Sequence, residues 1–285
     1  MKLRILTCVL LTSLGAGVLA AQATIDRSIM VTVFDKDGAP LRDLTAADFI
    51  VREDGQPREV SSAALATEPL TVALMVDTSK PTIGRDLPLR DIRAGLATFV
   101  KAIYAANPES KISLMDISGA AVTTVSATSN GDQMLKATSR LVASQRSAGV
   151  LLEGLMDTAK DLAKVASPRR AIVVLSFDAP EASAMQPRDA AMAVQKSGAA
   201  FWAVTVGSNT DPVRDMVFEN LPPPTGGKRL TAVAATGLEK MLGDVAAALT
   251  SQYLVTFKEP AGSTSSDIRA GAKRGDQVLR ASWMK

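Results

Sequence analysis

Histidine is absent from the 285 residues. Its absence excludes Ser-His-Asp and Cys-His catalysis, imidazole-ligated zinc and any imidazole proton relay. Cysteine occurs once, at Cys8, so no disulfide can form within the chain. Aromatic residues make up only 4%, too few for a stacking platform that would bind single-stranded nucleic acid or sugar. Strong charge of either sign is missing as well. The formal charge is +3, and with Lys2 and Arg4 set aside 30 basic residues face 29 acidic ones, a balance of +1. Such a chain has no electrostatic footprint for nucleic acid. Gly-x-Ser-x-Gly and Walker sequences are absent, and the single Ser-x-x-Lys, Ser282 to Lys285, falls at the chain end. No assembled catalytic set is visible, so the expectation is a non-enzyme.

What is present starts with a leader. Lys2 and Arg4 precede an apolar run from Ile5 to Leu19, followed by small residues, the pattern of a signal peptide over 1–20 with cleavage after Ala20 or Ala23. The run is short for a membrane span; a retained anchor is the alternative. Cleavage would remove Cys8, place the mature chain in the periplasm or outside the cell, and leave no membrane span. An oxidising compartment without disulfides suits a chain long enough to build its own core.

The stretch Leu70 to Thr82, LTVALMVDTSKPT, organises the rest. Its continuous apolar run predicts a strand buried on both faces, as in parallel sheets covered by helices. A second such run, AIVVLSF at 171–177, also ends in a carboxylate, Asp178, and a third covers 200–206. Helical spacing is predicted over 85–105, 132–142, 149–165, 182–196 and 236–249, and 221–227 with its three prolines reads as a loop. Strands alternating with helices predict an α/β fold with a doubly wound, mostly parallel sheet. The ends differ in texture. Short alternating strands flank Asp37-Gly38 and Asp54-Gly55 on one side, and Tyr253 to Trp283 on the other. The expected division is 24–66 and 252–285 as two halves of one β-rich unit, with 67–251 as an α/β domain inserted between them.

Asp77 and Asp178 are thereby expected at strand carboxyl ends, in the crevice where open α/β sheets bind ligands. An Asp77 that merely turns the chain out of the sheet is the plain alternative. The paired basic residues Arg169-Arg170 and Lys228-Arg229 read as solvated loop ends. Met185, Met192, Met216 and Met241 read as helix core.

Three segments carry a resemblance: VTVFDKDGAPLRDLTAADFIVREDGQPREV, LTVALMVDTS and the close SQYLVTFKEP…IRAGAKRGDQVLRASW. Together they resemble the von Willebrand factor A-related domain proteins of soil bacteria, over nearly the whole mature chain. The resemblance implies an exported protein with a Rossmann-like A domain, and a metal-ion-dependent adhesion site holding magnesium for a partner's carboxylate. The family pattern is Asp-x-Ser-x-Ser, a later Thr and a final Asp. Asp77, Ser79 and Asp178 match it, whereas Pro81 replaces the second serine and Val150 stands at the threonine position. Magnesium requires oxygen ligands in near-octahedral geometry. A site short of two side-chain oxygens is expected to hold it weakly or not at all, leaving no resident cofactor. Two roles are open to Lys80: a compensating charge for Asp77 and Asp178, or a solvated side chain.

The function expected is a non-catalytic module that binds a protein through the loops 77–85, 144–149 and 178–185, without a metal. The alternatives are a magnesium-dependent adhesion receptor and, further off, a hydrolytic enzyme using paired carboxylates.

Overall fold

The structure, a computed structural model, describes residues 23–81, 86–207, 211–264 and 267–284. The leader expected over 1–20, with Cys8, lies outside them, as do 82–85 of the first expected binding loop. Among the described residues no helix is long and apolar enough to cross a membrane.

The described residues begin with four strands, β1 (Thr24–Phe34), β2 (Phe49–Glu53), β3 (Gln56–Arg58) and β4 (Val60–Leu65). An alternating series follows: β5 (Thr71–Val76), α1 (Leu89–Ala106), β6 (Lys111–Asp116), β7 (Val122–Thr128), α2 (Gly131–Ser139), α3 (Leu151–Ala163), β8 (Arg170–Ser176), α4 (Pro187–Ser197) and β9 (Ala200–Val206). It closes with α5 (Pro212–Asn220), α6 (Pro222–Thr225), β10 (Arg229–Ala232) and α7 (Leu238–Thr250). Three strands complete the chain, β11 (Tyr253–Pro260), β12 (Ile268–Arg274) and β13 (Gln277–Met284).

These strands form two sheets. The central one has six, in the order β10-β9-β8-β5-β6-β7, parallel except for the antiparallel edge strand β7. Every residue of β5 and β9 is buried, because helices cover both faces. One face packs on α1 and α7 through Val72, Leu74, Leu96, Phe99 and Leu242; the other packs on α3, α4 and α5 through Met75, Leu155, Val174, Val194 and Phe218. The order reverses at β5, since the chain runs outward through β6 and β7 and then returns to β8 on the opposite flank.

The second sheet has seven antiparallel strands in the order β3-β2-β12-β13-β1-β11-β4, so both chain ends share it. Strand β1 explains why the two sheets hold together. Its alternate residues Ile29, Val31 and Val33 face the small sheet's own core, while Met30 and Phe34 join the core beneath α7. Thr32 adds a hydrogen bond to the Ala248 carbonyl in α7.

Three expectations require correction. The proline stretch at 222–225 is a helical turn rather than a loop; all three prolines occupy its first turn, where backbone N–H groups have no helical partner to lose. Neither basic pair is simply a solvated loop end: Arg169 is buried at 3% exposure, and Arg229 opens β10 with its side chain paired to Asp215 at 2.8 Å. Met192 and Met216 are exposed, on the outer faces of α4 and α5, rather than packed in the core.

Arg169 stands at the junction of the sheets. Its guanidinium donates to the carbonyls of Ala66 and Glu68 in the incoming connection (3.1 and 2.6 Å), and to the Leu249 carbonyl and Gln252 Oε1 in the outgoing one (2.7 and 3.2 Å). Burial lowers its pKa to about 10, with Glu68 opposing that shift.

The small sheet carries its own buried charge. Glu53 is fully buried, 2.7 Å from Arg58 Nε and 2.7 Å from Ser263 Oγ. Burial pushes its carboxyl up, but the hydrogen bonds donated by Ser263 and Arg58 outweigh this and hold the pKa below the ordinary 4.5. A depressed folded value gives stability that is present above about pH 4.5 and lost as pH falls through the folded value. Acid titration followed by circular dichroism is therefore expected to show a stability decline beginning below that pH. Glu53→Gln should flatten the decline while lowering stability at neutral pH by about 1–2 kcal/mol.

Candidate functional site

The site begins at the carboxyl end of β5. Asp77 continues the ladder, its N–H donating to the Leu175 carbonyl at 2.9 Å, and then the chain turns away. Ser79 makes that turn by donating its N–H to Asp77 Oδ1 at 2.9 Å. The intervening Thr78 points elsewhere and donates its hydroxyl to Asp116 at 2.9 Å, tying the end of β5 to the end of β6. From the neighbouring loop Arg146 accepts the Lys80 N–H, and Ser144 donates its N–H to the Thr78 carbonyl. Asp77 and Ser79 are both completely buried.

Asp77 is buried against Arg214. The Nη1 of Arg214 donates to Asp77 Oδ2 at 2.5 Å and to Ser176 Oγ at 3.1 Å, and its Nε donates to Glu181 Oε2 at 2.9 Å. Side-chain exposure is 0% for Arg214 and Asp77 and 3% for Glu181. Burial works against the guanidinium's charge, but the carboxylates of Asp77 and Glu181 outweigh it and raise its pKa.

Helix ends hold the guanidinium in place. Asp211 caps α5, accepting from the N–H groups of Val213 and Arg214 at 3.0 and 3.1 Å, with Pro212 at the first helical position. This puts Arg214 in the first turn, where the helix dipole disfavours a cation. Glu181 supplies the compensation and serves α3 too, accepting from the N–H groups of Leu151 and Leu152. Its own N–H donates to Asp211 Oδ2 at 2.9 Å. One connected set of charges thus pins β5, the loop after β8, and the amino ends of α3 and α5.

Gly149 makes room for it. A Cβ there would collide with Arg214 Nη2 and lie 2.8 Å from Asp77 Oδ2. Gly149→Ala is accordingly expected to cost about 2–3 kcal/mol in a denaturant titration, since the guanidinium cannot retreat without abandoning a carboxylate.

Asp178 follows β8, whose partner is β5, so it stands at the same edge of the sheet as Asp77. It is half-buried and lies against Gly207 at the end of β9, where a Cβ would overlap its carboxylate. Lys80 is exposed, and the positive charge against Asp77 comes from Arg214 instead.

The residues present do not fit a magnesium ion. A guanidinium nitrogen already occupies the Asp77 oxygen that would be a ligand. Ser79 spends its N–H on Asp77, and its buried Oγ, without a partner among the described residues, is the single hydroxyl of the pattern still available, too little for an octahedral ion. Pro81 offers no oxygen, and Val150 precedes α3 as a buried apolar side chain. Among the described residues no three carboxylates or thiols converge as a metal cluster. Sequence reading found Asp77 and Ser79 but missed Arg214 and Glu181. The local signal was the cation in the first turn of an Asp-Pro helix start, a position that calls for an acidic partner.

No protein-family model matches the sequence, and no curated protein matches it. Solved structures do. A von Willebrand factor type A protein from Catenulispora acidiphila aligns with 11% identity and a TM-score of 0.54, over 93% of this chain and 74% of that one. Proximal thread matrix protein 1 from the mussel byssus aligns with 14% identity and a TM-score of 0.54, over 74% of this chain; this chain spans about half of that protein, 50%. The von Willebrand domain of the type V pili tip protein Mfa5 from Porphyromonas gingivalis aligns with 11% identity and a TM-score of 0.50, over 64% of this chain and 95% of that one. With the helix-covered sheet and the acidic residue ending its central strand, these likenesses establish that the chain has an α/β fold of the von Willebrand factor type A kind.

Proposed function

We propose that this chain is an exported, non-catalytic protein-binding module whose strand-end site works without a metal ion. The observation that carries the reading is the buried Arg214 guanidinium on Asp77, a cation supplied by the chain in the place where the resemblance implies magnesium. Two proteins that share the fold, a type V pili tip protein and a thread matrix protein of the mussel byssus, point the same way. The leader-like segment at 1–20 supports export in the same direction. A non-catalytic role is supported by the pairing of the strand-end charges with one another, Arg214 donating to both Asp77 and Glu181.

Binding would use the loops above the sheet around Asp77 to Pro81, 144–149 and 178–185, which a rigid network underneath holds in position. Capture of partners from a cell-envelope extract should be equal in EDTA and in magnesium. Capture that chelator abolishes would favour the second reading, a magnesium-dependent receptor, and contradict this one.

A further inference from the structure

A cleft of about 370 Å³ opens beside this network, above the carboxyl ends of β5, β8 and β9. That is the topological switch point of the sheet, where α/β folds place ligands. At the small end of the range for ligand pockets, it is sized for one side chain or a fragment of similar bulk rather than an extended ligand. Its walls are largely apolar, with Phe177 at the floor, Pro88 on one side and Val233, which is 91% exposed, on the rim. Two carboxylates interrupt the apolar lining: Asp178, seated against Gly207, and Asp86, which is exposed just before α1. No basic residue is among the described residues that line it.

From this we infer that the cleft takes a lysine or arginine side chain of a protein partner. The stem would lie along Phe177, Pro88 and Val233, and the cationic head would meet Asp86 and Asp178. Long basic side chains bury their methylene stems on apolar surface in this way while keeping the charge among polar groups. A partner's carboxylate, which the resemblance implies, has no counterpart here: the cation of the network, Arg214, is fully buried and already divided between Asp77 and Glu181. Replacing the ion by an internal guanidinium therefore reverses the charge the face selects. The inference rests on the protein-binding reading above and names the chemistry of the partner.

Titrating the isotope-labelled mature chain in EDTA with Nα-acetyl-lysine amide and Nα-acetyl-arginine amide tests it. Nα-acetyl-norleucine amide and Nα-acetyl-glutamate amide serve as controls. Saturable amide shifts confined to 86–88, 177–178, 206–207 and 233–235 are expected with at least one basic probe. Norleucine should bind about fivefold more weakly, and glutamate should cause no shifts there. Asp86→Asn, an exposed loop change that leaves the core untouched, and Asp178→Asn should each weaken the basic probe about fivefold, as should Val233→Lys by occupying the rim. Equal binding of norleucine, preference for glutamate, or no shift with either basic probe at its solubility limit would overturn the inference. Because the titration contains no metal, these outcomes are independent of the chelator experiment. Metal-dependent capture would refute the proposed function while leaving the probe results to be read directly.

Discussion

Arg214→Met is expected to lower the unfolding free energy by about 4 kcal/mol. Arg214 is the largest fully buried side chain of the α/β unit, and its removal strands two carboxylates that are 0% and 3% exposed. Breaking a buried ion pair from one side costs about 3–5 kcal/mol, because the remaining charge is left without water or a partner. Methionine fills much of the volume and so separates lost charge from lost packing. Asp77→Asn alone should cost less, about 2 kcal/mol, since Arg214 keeps Glu181. The double variant should be less damaged than the sum of the two, with a coupling energy of about 2 kcal/mol in a denaturant-based mutant cycle. Strict additivity would mean that the two side chains do not act as a pair.

The second large effect is expected at Arg169. Arg169→Met removes four hydrogen bonds to acceptors at the junction, three of them backbone carbonyls. Each buried acceptor left alone costs about 1–3 kcal/mol, and relief from burying a charge whose pKa has fallen to about 10 offsets part of that. A net loss of about 3 kcal/mol is the expected outcome. Hydrogen exchange gives the sharper readout. Amides at 66–71 and 249–252 should lose protection before the interior of β5 does, because the substitution frees the connections and leaves the sheet core intact. Uniform loss of protection across β5, β8 and β9 would contradict a role at the junction. The sign of the linkage can also be read at high pH. A folded pKa near 10 against the ordinary 12.5 means the unfolded chain binds more protons between those values, so this group's contribution makes stability rise with pH there.

Periodicity made the central sheet legible. LTVALMV and AIVVLSF are apolar without interruption because both faces of β5 and β8 are covered, and no amphipathic element produces that pattern. The carboxylates ending these runs were legible for the same reason: a strand end is a change of regime that composition marks. Pattern could not reveal what pairs with them. Arg214 is 137 residues from Asp77, and a contact of that range follows from the winding of the sheet rather than from neighbouring residues. Lys80, adjacent in sequence, was the natural candidate for the charge, but the chain leaves the strand end in a direction that puts Lys80 in solvent. Arg169 was misread because a basic pair before a strand is ordinarily solvated; here Arg170 is half-buried and Arg169 points into the junction. Proline density concealed α6, since breaker residues are tolerated in a first turn.

Manganese offers the most direct measurement of whether a guanidinium has taken the ion's place. Crystals of the mature chain soaked in manganese, a magnesium surrogate with a strong anomalous signal, should show no peak beside Asp77. The density there should show Arg214 bonded to both Asp77 and Glu181. An anomalous peak bridging Asp77 and Ser79, with Arg214 turned away, would contradict the metal-free site.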